Sequence, residues 1–227
     1  MINMNNYSPM NKLDSSDITK YFGPFATCPL FQCKNIKKLK EELSSMLIEY
    51  SSYEKEEIIL GQGMVTKNIF LIIEGSVQLL NEDNWGRKSI LGIKTKSEVF
   101  AEALAITRNR ASFSAVAREQ SLVAAVPVDK ILENREYAAN LTKILAGTNQ
   151  TLFDHCATLS QKTVRDRLLY FLSLQREQHH ANTFILAMNR KTLASLLGID
   201  QGSLSKEIQK LEKEKMLIVR DTQFTLC

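Results

Sequence analysis

At 227 residues, with 44% hydrophobic and 24% charged side chains, the chain has the composition of a soluble protein long enough for two domains. It holds no apolar run long enough to span a membrane, and its start, MINMNNYSPMNKLDSSD, lacks the apolar core of a signal peptide. A cytoplasmic protein with no membrane partner is therefore expected. The net charge of +4 is unevenly placed: Met1–Leu159 carries 18 basic and 18 acidic residues, Ser160–Cys227 carries 11 and 7. That excess is a weak electrostatic footprint for nucleic acid in the C-terminal part.

Residues 1–20 are rich in Asn, Ser, Asp and Met without period, which predicts a flexible, mobile or loosely docked arm. Cys28 and Cys33 form a C-x4-C pair, but no third cysteine or histidine lies nearby, so neither a metal nor an iron–sulfur cluster is expected there. With Cys156 and Cys227 the thiols are too scattered for a disulfide framework. From Ile36 to Tyr50, Leu39, Leu43, Met46 and Leu47 recur at helical spacing.

After Tyr53 the texture changes. EIIL, IFLII, SVQLL, KSILGI, ASFSAVA and SLVAAVPV are short β-branched or apolar runs, separated by GQG, EG and NEDNWG. Closely spaced short strands of this kind predict a sandwich or barrel, with Gly61, Gly63, Gly75 and Gly86 at its turns.

Asp129 to Leu159 returns to a helical pattern. Leu141, Leu145, Thr148, Leu152, His155 and Leu159 follow a heptad spacing, which predicts a dimer seam stabilised by the barrel beside it. His155 is expected as an interface histidine, with a pH-sensitive or ligand-facing role as the alternative. Gly147 lowers helix propensity by about 1 kcal/mol relative to alanine. It marks close approach of the partner helix or of a ligand, or a tolerated local defect.

Gln161–Lys162 reads as a hinge, and Thr163 with Asp166 as a capping box opening a helix through Leu168, Leu169, Phe171, Leu172 and Leu174. His179 and His180 fall in an expected polar loop, without a third ligand for a metal. Thr183 to Met188 reads as a strand and MLIVRDTQFTLC as a hairpin. Between them, Asn189 caps a helix through Leu193, Leu196 and Leu197 that Gly198 stops. Asp200 caps a second helix burying Leu204, Ile208 and Leu211 and presenting Gln201, Gly202, Ser205, Lys206 and Gln209. Two short helices joined by a glycine turn, the second offering amides, hydroxyls and a lysine, describe a DNA-reading helix-turn-helix, with the hairpin as its wing. A hairpin of helices without such a partner would carry more carboxylates on its outer face.

A barrel, a long helix and a winged helix-turn-helix in this order resemble the Crp–Fnr family of bacterial transcription regulators. The resemblance covers roughly Ser51 to Leu226. It is carried by ILGQGMVTKNIFLIIEGSVQLL (Ile59–Leu80), VFAE (Val99–Glu102), TVRDRLL (Thr163–Leu169) and LASLLGIDQGSLSKEI (Leu193–Ile208). It implies an α+β fold: a cyclic-nucleotide-binding-type β-roll (jelly roll) over 21–135, a dimerisation helix over 136–160 and a winged helix-turn-helix over 161–227. It also implies double-stranded DNA and a second copy of the chain as partners, with RNA polymerase as a further one. The DNA contacts it implies are Arg190, Gln201, Gly202, Ser203, Ser205, Lys206, Gln209 and Lys210.

The effector pocket of the family maps onto Glu102, Arg110, Ser112, Leu152 and Phe153, and there the sequence departs from the cyclic-AMP-binding members. The position of the arginine that holds the cyclic phosphate falls on Ala111, with Arg110 one residue early in a loop one residue shorter. By strand alternation Arg110 is expected to point to the other face. Ser97 and Ala101 replace glycines that let backbone approach the sugar, and Leu152-Phe153 replaces a threonine–serine pair on adenine. An effector other than cyclic AMP, or none, is expected. The family's arginine–glutamate pair and downstream arginine map onto Gln201, Gly202 and Lys206, so its familiar operator does not carry over.

An enzyme is not expected: the chain has three histidines, no Ser-His-Asp set, no phosphate loop and no catalytic residue to name. The competing class is a sensory module acting through protein contacts with a degenerate DNA reader, which Gly202 would favour and Lys206 and Lys210 oppose.

Overall fold

The run Ile69–Ile73 organises the first half of the molecule. Successive side chains of a strand point to opposite faces, and every residue of this run is buried. Ile69, Leu71 and Ile73 enter one apolar cluster, Phe70 and Ile72 another. A strand covered on both faces needs no polar alternation.

The computed structural model describes residues 11–12, 15–32, 35–83, 85–186 and 188–227. The chain divides into two compact units, Met1–Ala146 and Gly147–Cys227. The first unit opens with β1 (Asn11–Lys12), α1 (Ser15–Lys20), α2 (Phe22–Thr27) and α3 (Ile36–Ser45). It continues with β2 (Glu49–Tyr53), β3 (Ile58–Leu60), β4 (Asn68–Glu74), β5 (Ser76–Glu82), β6 (Lys88–Thr95) and β7 (Val99–Phe100). Then come α4 (Glu102–Thr107), β8 (Ser114–Ala117), β9 (Ser121–Pro127) and α5 (Val128–Glu133). Helix α6 (Arg135–Ser160) begins in the first unit and ends in the second.

The strands form two sheets, ordered β1-β2-β9-β4-β7 and β3-β8-β5-β6. Between them Tyr53, Phe70, Phe100, Val123 and several alanines fill the interior. The other face of the first sheet is covered by α1 to α3, α5 and the start of α6, through Phe25, Leu39, Leu43, Ile131, Tyr137 and Leu141. Asn134 caps the turn into α6, and Tyr137 and Asn134 both bond the Glu42 carboxylate of α3. Gly75 takes φ +83 at the β4–β5 turn, where a Cβ would lie 2.3 Å from the Ser121 hydroxyl. No other residue type fits there.

Three expectations for the first unit need correction. The arm is docked from α1 onward, with Ile18 buried, and Asn11–Lys12 pairs with Glu49–Tyr50; residues 1–10 and 13–14 lie outside the described residues. The helix from Ile36 stops at Ser45, because Leu47 turns at φ 52 and Glu49 begins a strand buried against β9. Leu141 is buried in the core of its own unit rather than at a seam, and Leu145 packs against that core.

The second unit contains the end of α6, α7 (Val164–His179), β10 (Thr183–Ile185), α8 (Arg190–Leu196), α9 (Gln201–Lys213), β11 (Leu217–Arg220) and β12 (Gln223–Leu226). A sheet ordered β10-β12-β11 backs the helices around Leu168, Leu172, Phe184, Leu193, Leu204, Ile208 and Phe224. The expected strand from Thr183 is shorter than predicted, ending at Ile185. His179 is the last residue of α7 and stacks on Phe184 at 5.7 Å, and His180 ends the helix at φ 50. The two histidines thus terminate a helix rather than lie in a loop.

Candidate nucleic-acid interface and effector region

Both helices of the helix-turn-helix are fixed at both ends. Asn189 Oδ1 accepts from the backbone N–H of Thr192, and Asp200 Oδ1 from that of Ser203 at 2.8 Å. These side chains satisfy donors that a helix start leaves unpaired. The Ser203 hydroxyl and N–H hold the Asp200 carboxyl below its ordinary range. Gly202 adds to this cap in a way that composition does not reveal: a Cβ there would lie 3.1 Å from Asp200 Oδ1. At the C-terminal ends Gly198 (φ +64) and Lys215 (φ 59) take the left-handed conformation. Ile199 N–H then reaches Ala194 O, and Met216 N–H reaches Leu211 O, each at 3.0 Å. These are Schellman closures.

The turn between α8 and α9 is held from below by Arg167. Its guanidinium donates to Gln161 O at 3.0 Å and to Leu197 O at 3.3 Å, placing a cation at the carbonyl end of α8. Arg165 donates to both Glu214 carboxylate oxygens and lies 3.7 Å from the buried Glu207, which also faces Lys210 at 3.5 Å. Glu214 raises the Arg165 pKa, and Arg165 lowers that of Glu214. This tie between α7 and α9 was not visible in the sequence, since its partners are 49 residues apart. An arginine two residues after a helix cap carries no signal of its own.

On α9 the buried face is Leu204, Glu207, Ile208 and Leu211. Gln201, Gly202, Lys206, Gln209 and Lys210 are exposed, and Lys213 extends their row. Ser203 and Ser205 fit the expected phosphate role less well. Their hydroxyls donate to Asp200 Oδ2 at 2.5 Å and to Gln201 O at 2.9 Å, so a phosphate would have to displace those bonds. Arg190 opens α8, half-buried, beside Asp221 and Thr222 of the wing turn.

In the first unit, Glu102 is the first residue of α4, preceded by Ala101 at φ 64. Ser97 lies at φ 69 and shares a 2.7 Å hydrogen bond with Thr27. Both residues that replace the family's glycines therefore keep the glycine-type backbone. Ala111 is buried in the interior, its N–H and C=O bonded to Met64 O and Gly63 N–H at 2.7 Å. Arg110 is not in a strand, so alternation does not govern it; it is exposed, and its Nη1 donates to Gly63 O at 3.0 Å. Ser112 is exposed next to it. Leu152 (57% exposed) and Phe153 (65%) belong to the second unit.

Cys28 is buried, and desolvation pushes its thiol up to about 11, so it is uncharged at neutral pH. Cys33 lies outside the described residues. Among the described residues no group of three His, Cys, Asp or Glu could hold a metal, and no helix is long and apolar enough to cross a membrane.

A family model described as the cyclic nucleotide-binding domain matches residues 50–136. The transcriptional activatory protein AadR of Rhodopseudomonas palustris is 24% identical over 217 residues, 86% of this chain and 90% of AadR. The crystal structure of the Thermus thermophilus catabolite activator protein matches with a TM-score of 0.52 at 22% identity, covering 88% of this chain and 93% of that one. A mutant of CooA from Carboxydothermus hydrogenoformans matches with a TM-score of 0.59 at 18% identity, covering 79% and 83%. With its β-roll, long helix and winged helix-turn-helix in that order, the chain is similar to transcription regulators of the Crp–Fnr type.

Proposed function

We infer that the protein is a sequence-specific, DNA-binding transcription regulator that acts as a homodimer on a near-palindromic operator. The observation that carries this reading is the outer face of α9. A capped helix in a winged helix-turn-helix presents two glutamine amides and a lysine to solvent, with its apolar face buried beneath. A glutamine amide can pair bidentately with adenine N6 and N7, which makes Gln201 the leading base reader and Gln209 the second. Lys206 and Lys213 suit phosphate or guanine, and Arg190 suits a phosphate near the wing. The chemistry of this face is recognition, and no turnover is assigned to it.

Selection of binding sites from random duplexes tests the reading. Gln201→Ala should relax the preference at one position per half-site, by about 1–3 kcal/mol against the favoured base. Lys206→Ala should weaken all sequences alike and flatten the salt dependence. Unchanged base preference in Gln201→Ala removes that residue from the readout. A wild-type protein without salt-dependent DNA binding would favour a sensory module working through protein contacts.

A further inference from the structure

Within the second unit, α6 and α7 enclose a cleft of about 580 Å³ that also reaches Leu196 of α8. Its floor is apolar, with Phe171 buried and Leu174 and Leu196 half-buried. Its walls carry the Asp154 and Glu177 carboxylates, the His155 ring and three glutamine amides. No lysine or arginine occurs among the described lining residues. Gln150 Nε2 holds one Asp154 oxygen at 2.9 Å, and His155 Nε2 lies 3.0 Å from Leu196 O, so the α6 wall is held by hydrogen bonds.

Gly147 lines this cleft in the middle of a 26-residue helix, and a Cβ built on it meets no atom within 4 Å. Neither a tight backbone contact nor a positive φ accounts for glycine there. The missing side chain leaves the cleft wide.

We propose that this cleft binds a small organic cation, an ammonium group on an apolar or aromatic body, and that the bound cation couples α6 to α7 and thereby to the helix-turn-helix. The volume falls in the range of small-molecule sites, about 300–1,000 Å³. Two carboxylates with no lysine or arginine among the described lining residues favour positive charge, and the Phe171–Leu174–Leu196 floor takes the apolar part. The ligand site stands on the cleft alone; its effect on DNA rests on the regulator reading above.

The probe is 2-phenylethylammonium, titrated calorimetrically into the full chain at neutral pH, with 2-phenylethanol as its uncharged counterpart. Saturable amine binding is expected, with the alcohol weaker by about tenfold or more. Asp154→Asn combined with Glu177→Gln should weaken the amine by a similar factor. Gly147→Leu should abolish binding by filling the cleft. Gly147→Ala, a better helix former than glycine, controls for folding. No amine binding, equal binding of amine and alcohol, or binding unchanged in these variants overturns the site. DNA affinity measured with and without saturating amine should then differ by about fivefold or more in the wild type and not in Gly147→Leu. Amine binding that leaves DNA affinity unchanged overturns the coupling. A protein that binds the amine but no DNA refutes the regulator reading and leaves the site in place.

Discussion

Left-handed backbone positions divide the two helix ends of the DNA reader into one optimised and one strained. Gly198 pays no penalty at φ +64, and a Cβ there would lie 3.3 Å from Leu159 Cδ2. Gly198→Ala should therefore destabilise the second unit by about 1–2 kcal/mol, measured by denaturant unfolding. Lys215 holds the same conformation at φ 59 with its side chain exposed. Lys215→Gly should stabilise by up to about 1 kcal/mol, the left-handed penalty less the extra freedom glycine gains unfolded. A stabilising Gly198→Ala or a destabilising Lys215→Gly would show that chain entropy outweighs the conformational penalty. At this scale the sequence was legible wherever a residue type has one backbone use: Asn189, Asp200 and Gly198 all act as read. It was not legible where the role is a long-range contact, as with Arg165, or where an ordinary residue keeps a glycine's conformation, as with Ser97 and Ala101.

Among elements, the strands from EIIL to SLVAAVPV were readable because each run is bounded by turn residues and rich in β-branched or apolar side chains, although Ile90, Leu91 and Ile93 of β6 are exposed. β2, β7 and α4 were not. Their sequences EYSSY, VF and EALAIT are short and lack a decisive period, and pairing with β9 and β4 or a left-handed entry at Ala101 defines them. The long helix was readable as a helix but not in its allocation. A heptad spacing says which residues share a stripe, not which surface covers each part of it. Leu141 is buried in the apolar core that holds Leu30 and Tyr137 in its own unit, whereas Leu152 and Phe153 are exposed. Leu141→Ala should thus cost about 2–5 kcal/mol of stability in the first unit, while Leu152→Ala should change the stability of a monomer by no more than about 0.5 kcal/mol. Urea unfolding below the dimer dissociation concentration separates the two; a large loss for Leu152→Ala would place that side chain in its own unit's core.

For the β-roll as a whole, the altered phosphate end determines which effector it can take. A cyclic phosphate moved out of water needs a paired cation, since an uncompensated buried charge costs several kcal/mol. Ala111 contributes a buried methyl to the interior, and the neighbouring Arg110 guanidinium is exposed, donating to the Gly63 carbonyl. Calorimetric titration should show no cyclic AMP binding at micromolar concentration, in the wild type and in Arg110→Ala alike. Micromolar binding lost in Arg110→Ala would show that this arginine leaves Gly63 to hold the phosphate.

Assembly is the remaining step between a correctly built reader and an operator. On the regulator reading proposed above, a single α9 would cover one half-site, and a homodimer would place two recognition helices about 34–36 Å apart, one turn of DNA. Two large apolar side chains exposed next to each other on the same helix, Leu152 and Phe153, with Leu159 one to two turns on, are the surface such a dimer would bury. Leu145, although in the same stripe, is a poor probe of assembly because it packs on the first unit's core. Leu152→Glu with Phe153→Glu should therefore give a folded monomer: sedimentation reports half the mass, circular dichroism is unchanged, and affinity for a two-half-site operator falls to that for a single half-site. Burying each of these side chains contributes about 1.5–3 kcal/mol, and a dimer would bury two copies of both, so charging them should raise the dimer dissociation constant by more than about ten-thousandfold, on the order of 6–12 kcal/mol in all. A double variant that stays dimeric and binds the operator as the wild type does would move the interface away from this helix.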